Sequence, residues 1–88
     1  MTMPPYEVEL APRAQNDLRA LPAQLLKRVL ARLDGLREQP RGRNSVKLKG
    51  YANQYRARVG NYRVVYEIDD ERSIVDVVAI RHRRDCYR

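Results

Sequence analysis

The sequence predicts an α+β fold, an antiparallel β-sheet packed against an N-terminal helical hairpin in the order β-α-α-β-β-β-β. Three observations carry this. Two amphipathic stretches follow one another between Pro12 and Glu38, with only Pro22 interrupting them. Gly60-Asn61 sits between two runs of alternating apolar and polar residues, the signature of a two-residue hairpin turn. Ser73–Ile80 is a nearly continuous apolar run of strand length, as expected for a strand covered on much of both faces.

Each element has a local reason. After a leader, Met1 to Pro5, that lacks the apolar run of a signal peptide, Tyr6–Leu10 alternates and reads as a strand. Pro12 suits the first turn of a helix that carries Ala14, Leu18 and Leu21 on one side and ends at Pro22. The second helix, from about Pro22 to Glu38, has its apolar positions at Leu25, Leu26, Val29, Leu30, Leu33 and Leu36, and Pro40 stops it. So short a connection predicts a helical hairpin. Arg41–Ser45 reads as a loop, and Val46–Lys49 as a short strand ending at Gly50. Gln54–Val59 and Tyr62–Asp69 flank the Gly60-Asn61 turn, and Asp69–Arg72 makes the next turn. Arg81–Arg88 reads as a short basic tail.

With 88 residues the chain suits one domain, residues 1–88, with one modest core. A hydrophobic share of 43% and a charged share of 33% fit a globular protein and exclude a disordered one. No segment approaches the roughly 18 apolar residues of a membrane span, so no membrane partner is expected. Cys86 is the only cysteine, which excludes an internal disulfide and a Cys-based zinc site and fits a cytoplasmic protein. The net charge is +7, of which residues 1–40 hold +1 and residues 41–88 hold +6. A basic half on an otherwise balanced domain predicts a polyanionic partner such as nucleic acid.

The hairpin concentrates that charge. A two-residue turn puts Val59 opposite Tyr62 and Arg58 opposite Arg63, and alternation gives Arg56 the face of Arg58. The other face carries Tyr55, Ala57, Val59, Tyr62, Val64 and Tyr66, which suits a core. Like charges opposite each other destabilise a sheet, so three guanidinium groups on one patch predict a bound anion, for which the planar guanidinium fork is well shaped. Lys47, Lys49, Arg81, His82 and Arg84 extend the candidate RNA-binding set, with Tyr51, Tyr55 and Tyr87 interleaved. Basic side chains neutralise phosphates and aromatic rings stack unpaired bases, a combination suited to single-stranded RNA. Tyr55, Tyr62 and Tyr66 have the parity of the core face, while Tyr51 is open to either role. Asp69-Asp70-Glu71 reads as a solvated turn, and no metal or cofactor is expected. RNA cleavage needs no metal when the 2′-hydroxyl attacks its own phosphate: clustered arginines stabilise the charge, though arginine does not serve as a base.

Three segments carry a resemblance: Lys-Leu-Lys-Gly (47–50), Tyr-Arg-Ala-Arg-Val-Gly-Asn-Tyr-Arg-Val-Val-Tyr (55–66) and Arg-His-Arg-Arg-Asp-Cys-Tyr-Arg (81–88). In these, and over Tyr6 to Arg88 as a whole, the chain resembles the RelE family of toxins within the wider RelE/ParE superfamily. The resemblance implies an mRNA interferase that enters the ribosomal A site, cuts mRNA there and is neutralised by a cognate antitoxin. It implies catalytic roles for Arg56, Arg58, Arg63, Arg83 and Tyr87. Both strand positions, Arg56 and Arg58, are lysine in the best-known member, where one has been proposed as the base. Arginine keeps the charge but not the basicity, so the base falls to Tyr87 or His82, or none is needed. The superfamily also implies two alternatives, a ParE-like inhibitor of DNA gyrase and a toxin that binds but no longer cuts.

Overall fold

A computed structural model describes residues 5–42, 45–48 and 53–84 of the chain. Lys49, Tyr51, Cys86 and Tyr87 lie outside the described residues. The elements follow in the expected order: β1 (Glu7–Leu10), α1 (Pro12–Arg19), α2 (Ala23–Leu36), β2 (Ser45–Lys47), β3 (Gln54–Val59), β4 (Tyr62–Asp69) and β5 (Ile74–His82). They form one five-stranded sheet in the order β1-β5-β4-β3-β2. β2 through β5 pair antiparallel, while β1 joins the far edge parallel to β5, so the sheet is mixed at that edge.

Local chemistry sets the boundaries. Pro12 opens α1, where its missing N–H is not needed, and Pro22 stands as the cap before α2. Gly60 has φ 57° and is the only glycine with positive φ among the described residues; Asn61 does not share that sign, so the turn has the II′ pattern. It seats Val59 opposite Tyr62 and Arg58 opposite Arg63, the register read from the sequence. β5 runs two residues further than the apolar run, taking Arg81 and His82 out of the expected tail and into the sheet.

The helices cover one face of the sheet. Val29, Leu33 and Leu36 of α2 and Ala14 and Leu18 of α1 meet Ala57, Val59, Val64, Tyr66, Ile68, Val75, Val77 and Ile80. Leu30 departs from the expected stripe and is 47% exposed. Tyr66 is fully buried; its hydroxyl donates to the Pro40 carbonyl at 2.6 Å and accepts from Ser45 Oγ at 2.6 Å. Burial pushes the Tyr66 pKa up, so the phenol stays a neutral donor. Tyr55 stacks on it with ring centroids 6.0 Å apart. None of the described helices is long and apolar enough to cross a membrane.

Candidate nucleic-acid interface

The uncovered face of the sheet carries a row of arginines across three adjacent strands. Arg58 of β3 stands opposite Arg63 of β4, and Arg63 stands opposite Arg81 of β5. Because Val59 and Tyr62 close the turn as the hydrogen-bonded pair, Arg58 and Arg63 form the closer, non-hydrogen-bonded kind, with Cα atoms about 4.5 Å apart. Arg56 stands one pleat away on the same face, opposite Val65, which in turn faces Ala79. The side chains differ in exposure. Arg58 is exposed and Arg56 and Arg81 are half-buried, whereas Arg63 is only 5% exposed. Arg63 lies on β4, the central strand of the sheet, and is engaged there rather than free. A guanidinium in such a site acts through a lower dielectric than one in water, which strengthens its pull on an anion.

The end of the row is anchored in two ways. The Arg83 backbone N–H donates to the Asn61 carbonyl at 2.6 Å, continuing the β4–β5 ladder one step past Tyr62 and His82. That holds exposed Arg83 beside the hairpin tip. β1 reaches only as far as Val77, leaving the outward N–H of Ile80 without a strand partner. Asp17 Oδ2 of α1 accepts from it at 2.9 Å, satisfying the donor next to Arg81.

Other candidates fall elsewhere. His82 alternates onto the helix-covered face, where it meets the Tyr62 ring edge-on at 5.0 Å and its Nδ1 accepts from the Arg84 N–H at 3.2 Å. Lys47 faces Tyr55, not Arg56, so it leaves the edge of the sheet on the helical side. Arg84 is exposed past the end of β5. Lys49 and Tyr87 lie outside the described residues. The acidic turn is less idle than expected: Arg41 grips both Asp70 carboxylate oxygens at 3.2 and 2.8 Å, and Tyr6 donates to Asp70 at 2.6 Å. Arg41 and then Tyr6 hold the Asp70 carboxyl below its usual range. Among the described residues no group of His, Cys, Asp and Glu is arranged to hold a metal ion. Sequence reasoning missed that Arg81 completes the row. Continuing the period-two alternation past Ile80 would have found it.

Fold and face together define a class: a small single-sheet protein with a helical hairpin on one side and an arginine-rich, strongly cationic surface on the other. Comparison with known proteins sharpens this. A family model for the ParE toxin of type II toxin-antitoxin systems, parDE, matches residues 8–87. The toxin RelG of Mycobacterium tuberculosis is 35% identical over 85 residues, 96% of this chain and 98% of that protein. The M. tuberculosis RelBE2 toxin-antitoxin complex superposes with a TM-score of 0.80 at 34% identity, covering 90% of this chain and 99% of the matched one. The isolated Escherichia coli RelE toxin superposes with a TM-score of 0.79 at 26% identity, covering 88% of this chain and 83% of that one. The chain belongs to the RelE/ParE family of type II toxins.

Proposed function

We propose that this toxin is a ribosome-dependent endoribonuclease that cleaves mRNA in the A site and is silenced by a RelB-like antitoxin. The observation that supports it is the arginine row, Arg58–Arg63–Arg81, with Arg56 beside it. In the reaction the 2′-oxygen bonds to the adjacent phosphorus, the bond from phosphorus to the 5′-oxygen breaks, and the products are a 2′,3′-cyclic phosphate and a 5′-hydroxyl. The proton leaves the 2′-hydroxyl and one is returned to the 5′-oxygen. Negative charge accumulates on the phosphoryl oxygens as the new bond forms. Fixed guanidinium groups stabilise that charge without reorganising, and Arg63, being buried, contributes through the lowest dielectric of the set. Arg83, held beside the tip through its backbone, is the candidate for stabilising the leaving oxygen or its charge. No arginine takes the proton. With His82 edge-on to Tyr62 on the far face, the acceptor is left to Tyr87 or to the ribosomal surroundings.

RelE relatives are crystallised with RelB antitoxins, as in the Pyrococcus horikoshii RelE–RelB complex, which superposes with a TM-score of 0.79. An acidic antitoxin segment suits the arginine face by charge complementarity. A second reading has one observation in its favour, the ParE description of the matching family model: inhibition of DNA gyrase without cleavage. Primer extension on cellular mRNA after induced expression tests the first reading. Cuts within codons of translated messages, absent when translation is blocked, are expected. Intact mRNA together with inhibited gyrase supercoiling would move the protein to the second reading.

A further inference from the structure

One cation at the active end comes from the other layer. Arg28 lies on the polar side of α2, yet its guanidinium rests on the hairpin turn. A methyl group built on Gly60 would stand 3.3 Å from Arg28 Nη1 and 3.8 Å from Cζ and Nη2. Gly60 is required for its φ of 57°, and a Cβ there would ask the Arg28 guanidinium to give by a few tenths of an ångström. Arg28 is exposed, and among the described residues no hydrogen bond or ion pair engages it. A cation that lies against a backbone turn with no partner among the described residues is available to an anionic ligand from outside. The same turn holds Arg83 through the Asn61 carbonyl, so Arg28 and Arg83 flank one tip from two layers. The Arg58–Arg63 pair lies two residues back along the strands from Gly60 and Asn61, roughly 7 Å at about 3.3 Å per residue.

We infer that Arg28 contacts the RNA backbone: it carries the cationic surface from the arginine row around the hairpin tip onto the helical layer and takes the phosphate next along from the scissile one. This rests on RNA being the ligand of the row. The contact binds and positions; it does not touch the reacting atoms. Arginine at such a place supplies charge and two donors, so lysine keeps the first and loses the second.

The test uses the full chain with a labelled single-stranded RNA across a salt series, alongside ribosome-dependent cleavage. Arg28→Ala is expected to weaken RNA binding about threefold to tenfold and to flatten the slope of log K against log salt by about 0.7, the loss of one phosphate contact on a single strand. Arg28→Lys should restore the slope. In cleavage the loss should fall on KM rather than on the saturated rate. An unchanged slope in Arg28→Ala, with only the melting temperature lowered, would make Arg28 a strut under the turn and overturn the inference. So would weakened antitoxin binding with RNA binding intact. The native chain separates this from the parent reading. Binding of RNA without cleavage defeats the nuclease assignment while the salt slope still judges Arg28; ribosome-dependent cleavage with no RNA binding by the free chain and an unchanged KM in Arg28→Ala defeats the Arg28 inference alone.

Discussion

The open face of the sheet has two ends of opposite sign, and β3, β4 and β5 contribute to both. At one end Arg58, Arg63 and Arg81 stand abreast. Four residues along β4, roughly 13 Å at about 3.3 Å per residue, Gln54, Glu67, Asp76 and Glu9 stand abreast in the same way. Both rows place like charges side by side, which destabilises a sheet. The acidic row is relieved: Glu67 and Glu9 are exposed to water, Gln54 Nε2 donates to Glu67 at 2.9 Å, and the row opens into a groove of ≈ 580 Å³. The basic row is not relieved by solvent to the same degree, because its central member is 5% exposed. Charge that water screens is a solvated surface; charge kept from water acts through a lower dielectric. The acidic row also repels phosphate, so a polyanion on this face would be confined to the arginine end.

Substitution of the central arginine is the largest expected break in that contrast. Arg63→Met keeps the bulk and removes the charge, and ribosome-dependent cleavage should fall by about 10²–10³, the usual effect of losing one charge-stabilising donor. Circular dichroism and the melting temperature check that the fold survives. Cleavage within tenfold of native by a folded variant would mean that the row is not the site.

Next comes a change that should strike both ends equally. Tyr66 lies under the face on the core side, and Tyr66→Phe leaves the buried Pro40 carbonyl without its donor. Destabilisation of about 1–3 kcal/mol is expected, or roughly 4–8 °C in Tm per kcal/mol for a domain of this size. An unchanged melting curve would show that water replaces the phenol at no loss.

Acid should loosen the acidic end first. Asp70 is depressed by Arg41 and Tyr6, so the folded form holds its proton less tightly than the unfolded chain does. The contribution of the clamp is full above about pH 4, the ordinary aspartate value, and is lost as pH falls through the depressed one. Tyr6 runs the other way: its bond to Asp70, then burial, raises its pKa, so its contribution is full below about pH 10 and lost above the raised value. The Tm difference between native protein and Asp70→Asn should shrink at both extremes. A difference that stays constant down to about pH 2 would contradict the assigned clamp.

Two small effects complete the contrast. Ser73 holds φ 55° in the turn at the acidic end, and Ser73→Gly should stabilise by about 0.5–1 kcal/mol, since glycine adopts that backbone without strain; a lower denaturation midpoint would refute the strain. Glu67→Gln should leave cleavage within about twofold, since exposed charges a Debye length away are largely screened at physiological salt. A large loss would bring the acidic row into the chemistry.

Most of the fold was legible because its signals are local. Proline placement set the helices, and Gly60-Asn61 fixed a register that matches pair for pair. The two ends of the apolar arc were less so: Leu30 reads as core and is exposed, because helical periodicity does not state what packs against it. Arg56, Arg58 and Arg63 could be grouped from alternation alone, whereas His82 and Lys47 had only their charge and neighbours to place them. Strand parity sends both to the helical side.

The sequence by itself determined the element order, the hairpin and the pairing of Arg58 with Arg63, since these depend on residues within a few positions of one another. Tertiary structure decided what comes from far along the chain. It seated β1 parallel beside β5, brought Arg81 level with Arg63, laid Arg28 of the helical layer on Gly60, and buried Arg63 at the centre. The reason is physical: periodicity assigns a face, but which strand lies next to which, and how much water reaches a charge there, is set only when the layers pack.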